Sequence, residues 1–457
     1  MNKVVDESMQ NTCISDATEL RRLVTEVVKT TPVIDIHTHL FSPDFKALNM
    51  WGIDQLLTYH YLVAEMFRSN PVSTQSFWEM STSEQADLVW KTLFVESSPV
   101  SEAARGVITV LNVLGLDTRA NDLIEAREFF ATRNFSEHLD MVLTTAGVSD
   151  IIMTNDPFDT NESEVWNSGR SNDNRFHSSL RMDRLLNNWA KTSNRLGQLG
   201  YSVDVNMSGE TIAEIRRFLD EWIFTMKPLY MAVSLPDDFK FPAGDVRNRI
   251  INEVVLPTAR EHDLPFALMI GVRRNVNPHL RAAGDGIGRA DVGAVERICL
   301  ENPDVRFLAT FLSRENQHEL CVAARKFGNL MPFGCWWFLN NPSIIAEITR
   351  QRLELLGTRF IPQHSDARVL EQLIYKWGHS RHVIAECIFE SYEQLLLAGR
   401  PVTLAEIRRD VTQMFSGNFR DCVGFARPDD LVLAPGFDTA AYTASLQFSA
   451  DGANGTD

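Results

Sequence analysis

The stretch VIDIHTH, residues 33–39, carries the first decision about the fold. The run is of strand length, and together with the runs that follow it, most of them apolar on both faces, it predicts strands covered on both sides. A helical pattern over residues 16–29 precedes it. Strand-length apolar runs recur after it at 150–154, 176–181, 229–235, 266–271, 305–312, 330–338 and 359–363. The last four alternate with helix-like segments, such as 317–327 closed by Gly328. Strand then helix, eight times over, predicts an α/β fold with parallel strands. Either a (β/α)8 TIM-type barrel or a doubly wound open sheet fits, since periodicity does not separate the two.

Spacing divides the chain further. More than a hundred residues separate the first two strands, and WGIDQLLTYHYLVAEMF (51–67) places apolar residues at helical intervals. The reading is an N-terminal helical segment over 1–32, a barrel over 33–423 with a large helical insertion at about 44–147, and a tail over 424–457. Shorter helical sets are expected after strand three and after strand eight, the latter including 404–414. The tail after Pro435 lacks Lys and Arg, is rich in Ala, Thr and Ser, and is expected to be partly disordered.

Composition excludes several function classes. The chain has 457 residues, 44% hydrophobic and 23% charged, enough to build a sizeable core. Lys and Arg number 44 against 60 Asp and Glu, a formal charge of −16 that repels nucleic acid and anionic membrane. An acidic ligand would need its own cluster of Arg. No run of 18 apolar residues occurs, and the polar, acidic start MNKVVDESMQ is unlike a signal peptide, so a cytoplasmic location is expected. Cys13, Cys299, Cys321, Cys335, Cys387 and Cys422 form no Cys-x-x-Cys pair and read as buried, reduced thiols.

His37 and His39 lie two apart in the first strand, so both rings face one side. In a barrel that side is the interior near the C-terminal mouth, where two imidazoles can share a divalent ion. Asp366, in FIPQHSDAR at the end of strand eight, is the third candidate ligand, because first and eighth strands meet when a barrel closes. His364 shares its face but reads better as a hydrogen-bonded core histidine. Arg181 ends strand three and Arg368 follows strand eight. One such Arg is ordinarily solvated; two beside a metal site can grip a carboxylate and a developing oxyanion. His60 and Tyr61 can supply a proton donor and acceptor, although alone they read as helix packing residues. Trp336, Trp337 and Trp377 are core aromatics by default, and an indole can also wall a sugar face. Strand four (LYMAVSL) offers no Lys or Glu, strand five has Met269 and no His, and strand six has no His. At most one tightly held ion is expected, which counts against a two-metal hydrolase.

Taken together, IDIHTHLF, the His60-Tyr61 pair, SSLRMD around Arg181, GCWWFLNNP around Trp337, and Ser-Asp-Ala-Arg at 365–368 resemble the uronate isomerase family of the amidohydrolase superfamily. The blocks run in the same order from about residue 33 to 423. The resemblance implies a distorted (β/α)8 barrel with a helical insertion after strand one. It implies conversion of D-glucuronate to D-fructuronate and of D-galacturonate to D-tagaturonate. It gives His37, His39 and Asp366 as the metal site, Zn2+ being the expected ion, and Arg181 as the holder of the substrate carboxylate. His60, Tyr61 and Arg368 match groups around the reacting carbons, while Trp377 and Trp337 match pocket aromatics. Met269 and Ala367 depart from the family pattern and point to a divergent branch. The expected partner is a small hexuronate, with a homo-oligomer as an allowed assembly. An aldose–ketose isomerase moves a proton from C2 to C1 through a cis-enediol and needs no activated water. Asp366 is the candidate base, with Tyr61 as the alternative. The competing readings are a mononuclear metal-dependent amidohydrolase or lactonase acting on a small acidic substrate, and a non-catalytic binder of sugar acids.

Overall fold

The computed structural model of the chain describes residues 13–169 and 173–425. Seven parallel strands form one curled sheet in chain order: β1 (Val33–Thr38), β2 (Val148–Asn155), β3 (Phe176–Arg181), β4 (Met231–Pro236), β5 (Phe266–Arg273), β6 (Phe307–Phe311) and β7 (Leu330–Pro332). Every residue of β1 is buried, as are all of β6, because helices cover one face and facing side chains the other. Ile34, Ile36, Ala232, Met269 and Leu308, drawn from four strands, join one buried apolar cluster on the concave side. An open doubly wound sheet orders its strands differently from the chain, so the observed sequential order disfavours it.

Two expected strands come out differently. The seventh ends at Pro332 rather than at residue 338, because Gly334 (φ 62°) and Trp337 (φ 49°) leave the extended region. The eighth run, 359–363, is strand-like only where Ile361 bridges Phe333. Pro362 follows and has no N–H to give a ladder. This irregular segment still bonds to both edge strands. The Ile361 N–H donates to the Pro332 carbonyl at 3.1 Å, the Asp366 N–H to the His37 carbonyl at 3.2 Å, and the His39 N–H to the Ala367 carbonyl at 2.8 Å.

Helices fill the rest. Helix α1 (Ala17–Thr30) starts at Asp16, whose side chain accepts the Glu19 N–H. Between β1 and β2 run several helices, among them α2 (His60–Ser69), α3 (Glu102–Val113) and α4 (Phe135–Ala146). Gly147, at φ 65°, ends α4 and turns the chain into β2. The helix expected over 317–327 stops at Ala324, since the Lys326 and Phe327 N–H groups both turn back to the Ala323 carbonyl. A 26-residue helix, α5 (Gln372–Leu397), packs against α1, and α6 (Leu404–Thr412) follows it. The six cysteines are free thiols, four of them buried; Cys13 departs from expectation because it lies on an exposed two-residue strand. Among the described residues no helix is long and apolar enough to cross a membrane. Nearly all of the tail expected to be disordered lies outside the described residues.

Candidate active site

One irregularity in β1 aims its side chains. Asp35 pairs with Ile151 and Thr38 with Met153, so three steps on β1 match two on β2, a one-residue bulge. Strict alternation would leave Asp35 and His37 on one face. With the bulge, Asp35 meets α5, where Trp377 donates its indole N–H to it at 2.8 Å. His37 instead faces Tyr230 and Thr154, whose hydroxyls both lie 3.4 Å from its Nδ1. The irregular eighth segment then brings Asp366 to the pair. His39 Nε2 lies 3.5 Å and His37 Nε2 3.8 Å from Asp366 Oδ1. Two ligands about 2.1 Å from a tetrahedral ion sit about 3.4 Å apart, so the spacing suits zinc. Asp366 Oδ1 is buried without a hydrogen-bond partner, an acceptor that an ion would satisfy.

Protonation states agree with that use. Burial pulls the His37 imidazole down to about 3 and the His39 imidazole to about 4, so both are neutral and keep a lone pair at neutral pH. Burial pushes Asp366 upward, but contact with His39, the two imidazoles and Lys376 together hold it well below the usual carboxylate range. Neutral imidazoles and an ionised carboxylate are the ligating forms.

Arg368, His60, Arg181 and Trp337 line the same cavity as these three residues. Arg368 donates to His39 Nε2 at 3.3 Å. His60, the first residue of α2, accepts the Trp337 indole N–H at 3.1 Å, and burial pulls it down to about 3. The left-handed backbone of Trp337 stacks its ring on Phe338, with centroids 4.8 Å apart. Arg181 pairs with Asp183 at 3.1 Å, and that carboxylate holds the guanidinium firmly protonated against the effect of burial.

Two expected site residues, Trp377 and Tyr61, are placed elsewhere. The Trp377 indole is 2% exposed and belongs to the core behind β1, because its N–H is committed to Asp35. Tyr61 does not line the cavity: one residue along a helix turns a side chain by about 100°, so when His60 faces the site its neighbour faces away. Its hydroxyl is buried without a hydrogen-bond partner, and Lys376 lies over its ring at 5.8 Å. His364 is outside the ligand cluster, and neither of its buried ring nitrogens has a partner, unlike the hydrogen-bonded histidine expected. Sequence reasoning missed Tyr59, Ser234 and Arg274 and read Trp336 as a core aromatic by default; all four also line the cavity. Ser234 and Arg274 stand near the ends of β4 and β5, so the strand-end rule that found Arg181 could have found them.

Comparison with known proteins supplies independent information. No protein-family profile and no curated protein matches the chain. A crystal structure of a uronate isomerase from Bacillus halodurans is 52% identical, with a TM-score of 0.88, covering 95% of this chain and 100% of that one. A uronate isomerase from Thermotoga maritima (TM-score 0.70, 92% of this chain and 100% of that one) and a glucuronate isomerase from Caulobacter crescentus (0.71, 92% and 97%) are each 15% identical and show a shared fold.

Proposed function

This chain belongs to the uronate isomerase family, and from that premise we propose that it interconverts hexuronates, D-glucuronate with D-fructuronate and D-galacturonate with D-tagaturonate. The observation that carries the reading is the gathering of His37, His39, His60, Arg181, Asp366 and Arg368 around one cavity, in a chain half identical to a uronate isomerase over that protein's whole length. We read the fold as a distorted (β/α)8 barrel whose eighth member is the segment through Ile361 and Ala367, with 44–147 inserted after β1.

Each residue has a task that its position supports. Arg181 binds the C6 carboxylate and so orients the open-chain sugar. Asp366, ionised, takes the proton from C2; the electron pair of that C–H bond forms the C1–C2 double bond of a cis-enediol. The Asp366 carboxyl exchanges that proton with solvent and delivers one to C1. Arg368 stabilises the negative charge on the enediolate oxygens. His60, neutral and aligned by Trp337, shuttles the proton between O1 and O2, with the Tyr59 hydroxyl rather than that of Tyr61 at hand. Trp337 walls one face of the sugar. A divalent ion held by His37, His39 and Asp366, zinc by its ligand set, would supply Lewis acidity to a sugar oxygen. Hydrolysis of an amide or lactone is not favoured, since β5 presents buried Met269 where such chemistry wants a ligand or acid.

Incubating the purified protein with D-glucuronate and following ketose formation tests the proposal. Steady turnover supports it. Tight binding without turnover would make the protein a sugar-acid binder, and cleavage of an amide or lactone instead would make it a hydrolase.

A further inference from the structure

Asp366 has a left-handed backbone (φ 51°), a conformation that a non-glycine residue holds only when its surroundings impose it. Those surroundings converge on the preceding residue. The Ser365 N–H donates to Asp35 Oδ1 at 3.0 Å, and the other oxygen of that carboxylate accepts the Trp377 indole N–H at 2.8 Å. The Ser365 carbonyl accepts from Lys376 Nζ at 2.7 Å and from Asn340 Nδ2 at 3.1 Å. Its hydroxyl accepts the Ala367 N–H at 3.1 Å. Two consecutive residues of α5, Lys376 and Trp377, thus hold both polar ends of Ser365, one directly and one through Asp35.

The residues doing this are costly to bury. Asp35 is 0% exposed, and Lys376 and Trp377 are each 2% exposed. A buried ammonium carries a large desolvation penalty. Asn340 already satisfies the Ser365 carbonyl, so hydrogen-bond accounting does not require the lysine. Neither Lys376 nor Trp377 lines the cavity, so substrate contact does not explain them either.

We propose that Lys376 and the Asp35–Trp377 pair are positioning residues that clamp the Ser365 peptide and thereby fix the direction in which the Asp366 carboxylate points. The clamp acts on a ligand and base assigned in the proposed function and rests on that reading for its catalytic consequence. Its geometric consequence does not depend on it, because the clamp should set the symmetry of any ion bound by His37, His39 and Asp366.

Two variants separate the parts. Lys376→Met removes the ammonium at similar length, and Trp377→Phe removes the indole N–H while keeping a ring against Phe415, 6.3 Å away. Each should lower kcat on D-glucuronate by roughly 10- to 100-fold, the usual effect of losing a group behind a metal ligand, with KM within about twofold. The double variant should lose less than the product of the single effects, because both act through one peptide. With Co2+ loaded in place of the native ion, both variants should shift the visible absorption bands relative to the unaltered protein. Folded variants with unchanged kcat and unchanged cobalt bands would overturn the proposal, as would strictly multiplicative effects. Should Lys376→Met fail to fold, Trp377→Phe carries the test by itself. If the unaltered protein turns over no hexuronate, the functional reading fails, and the cobalt spectra still decide on the clamp.

Discussion

At Arg181 the guanidinium already pairs with Asp183 at 3.1 Å, so a uronate bound as proposed would share it with a resident acid. That arrangement keeps a cation in place inside a chain of net charge −16 and leaves part of the guanidinium fork for the ligand. Arg181→Met should raise KM for D-glucuronate by roughly 10- to 100-fold, the worth of a charge-assisted hydrogen bond, with kcat much less affected. Steady-state kinetics checks this, and an unchanged KM would remove Arg181 from the carboxylate site. The clustering of His37, His39 and Asp366 was legible in the sequence because the two histidines sit two apart and Asp366 follows the last apolar run. Trp377 and Tyr61 were misplaced for a common reason. A short motif gives neighbours on a helix, whereas which of them faces a cavity depends on how the helix is rotated against the sheet.

At the scale of elements, the alternation of apolar runs was enough to locate seven strands, because strands buried on both faces leave continuous apolar signatures. The bulge in β1 and the collapse of the eighth strand to one bridge were not legible. The bulge depends on a partner strand more than a hundred residues distant, and the bridge on how Phe333 meets Ile361. Pro362 was the one local warning. Helix packing was equally hidden: Gly106 of α3 faces the Tyr375 ring of α5, and a Cβ placed there would stand 2.7 Å from ring atoms. Gly106→Ala gains roughly 1 kcal/mol of helix propensity but overpacks a buried contact at about 1–3 kcal/mol. The net should be a destabilisation of about 1 kcal/mol, read as a lower urea midpoint. A midpoint equal to or above that of the unaltered protein would show that Tyr375 moves freely and that α3 and α5 are loosely packed.

Over the whole molecule, the ends of several strands collect the site, and the surrounding core sets its protonation. Because burial lowers His37 to about 3 and His39 to about 4, from an ordinary value near 6.5, protons compete for their lone pairs only at those lower pH values. Asp366 stays ionised throughout that range. Bound zinc should therefore survive stepwise dialysis from about pH 7 to about pH 5 and leave only near pH 4, as followed by metal analysis of the retained protein. Loss beginning near pH 6.5 would mean that the imidazoles titrate as solvated groups, contrary to their burial.

The most direct test of the central claim, isomerisation by proton transfer at the centre formed by His37, His39 and Asp366, is turnover of D-glucuronate in deuterated water with the ketose read by NMR. D-fructuronate should carry solvent deuterium at C1, with both turnover and label lost in Asp366→Asn. Ketose formed at full rate with no deuterium at C1, the mark of direct hydride transfer, or unchanged labelling in Asp366→Asn would contradict that claim.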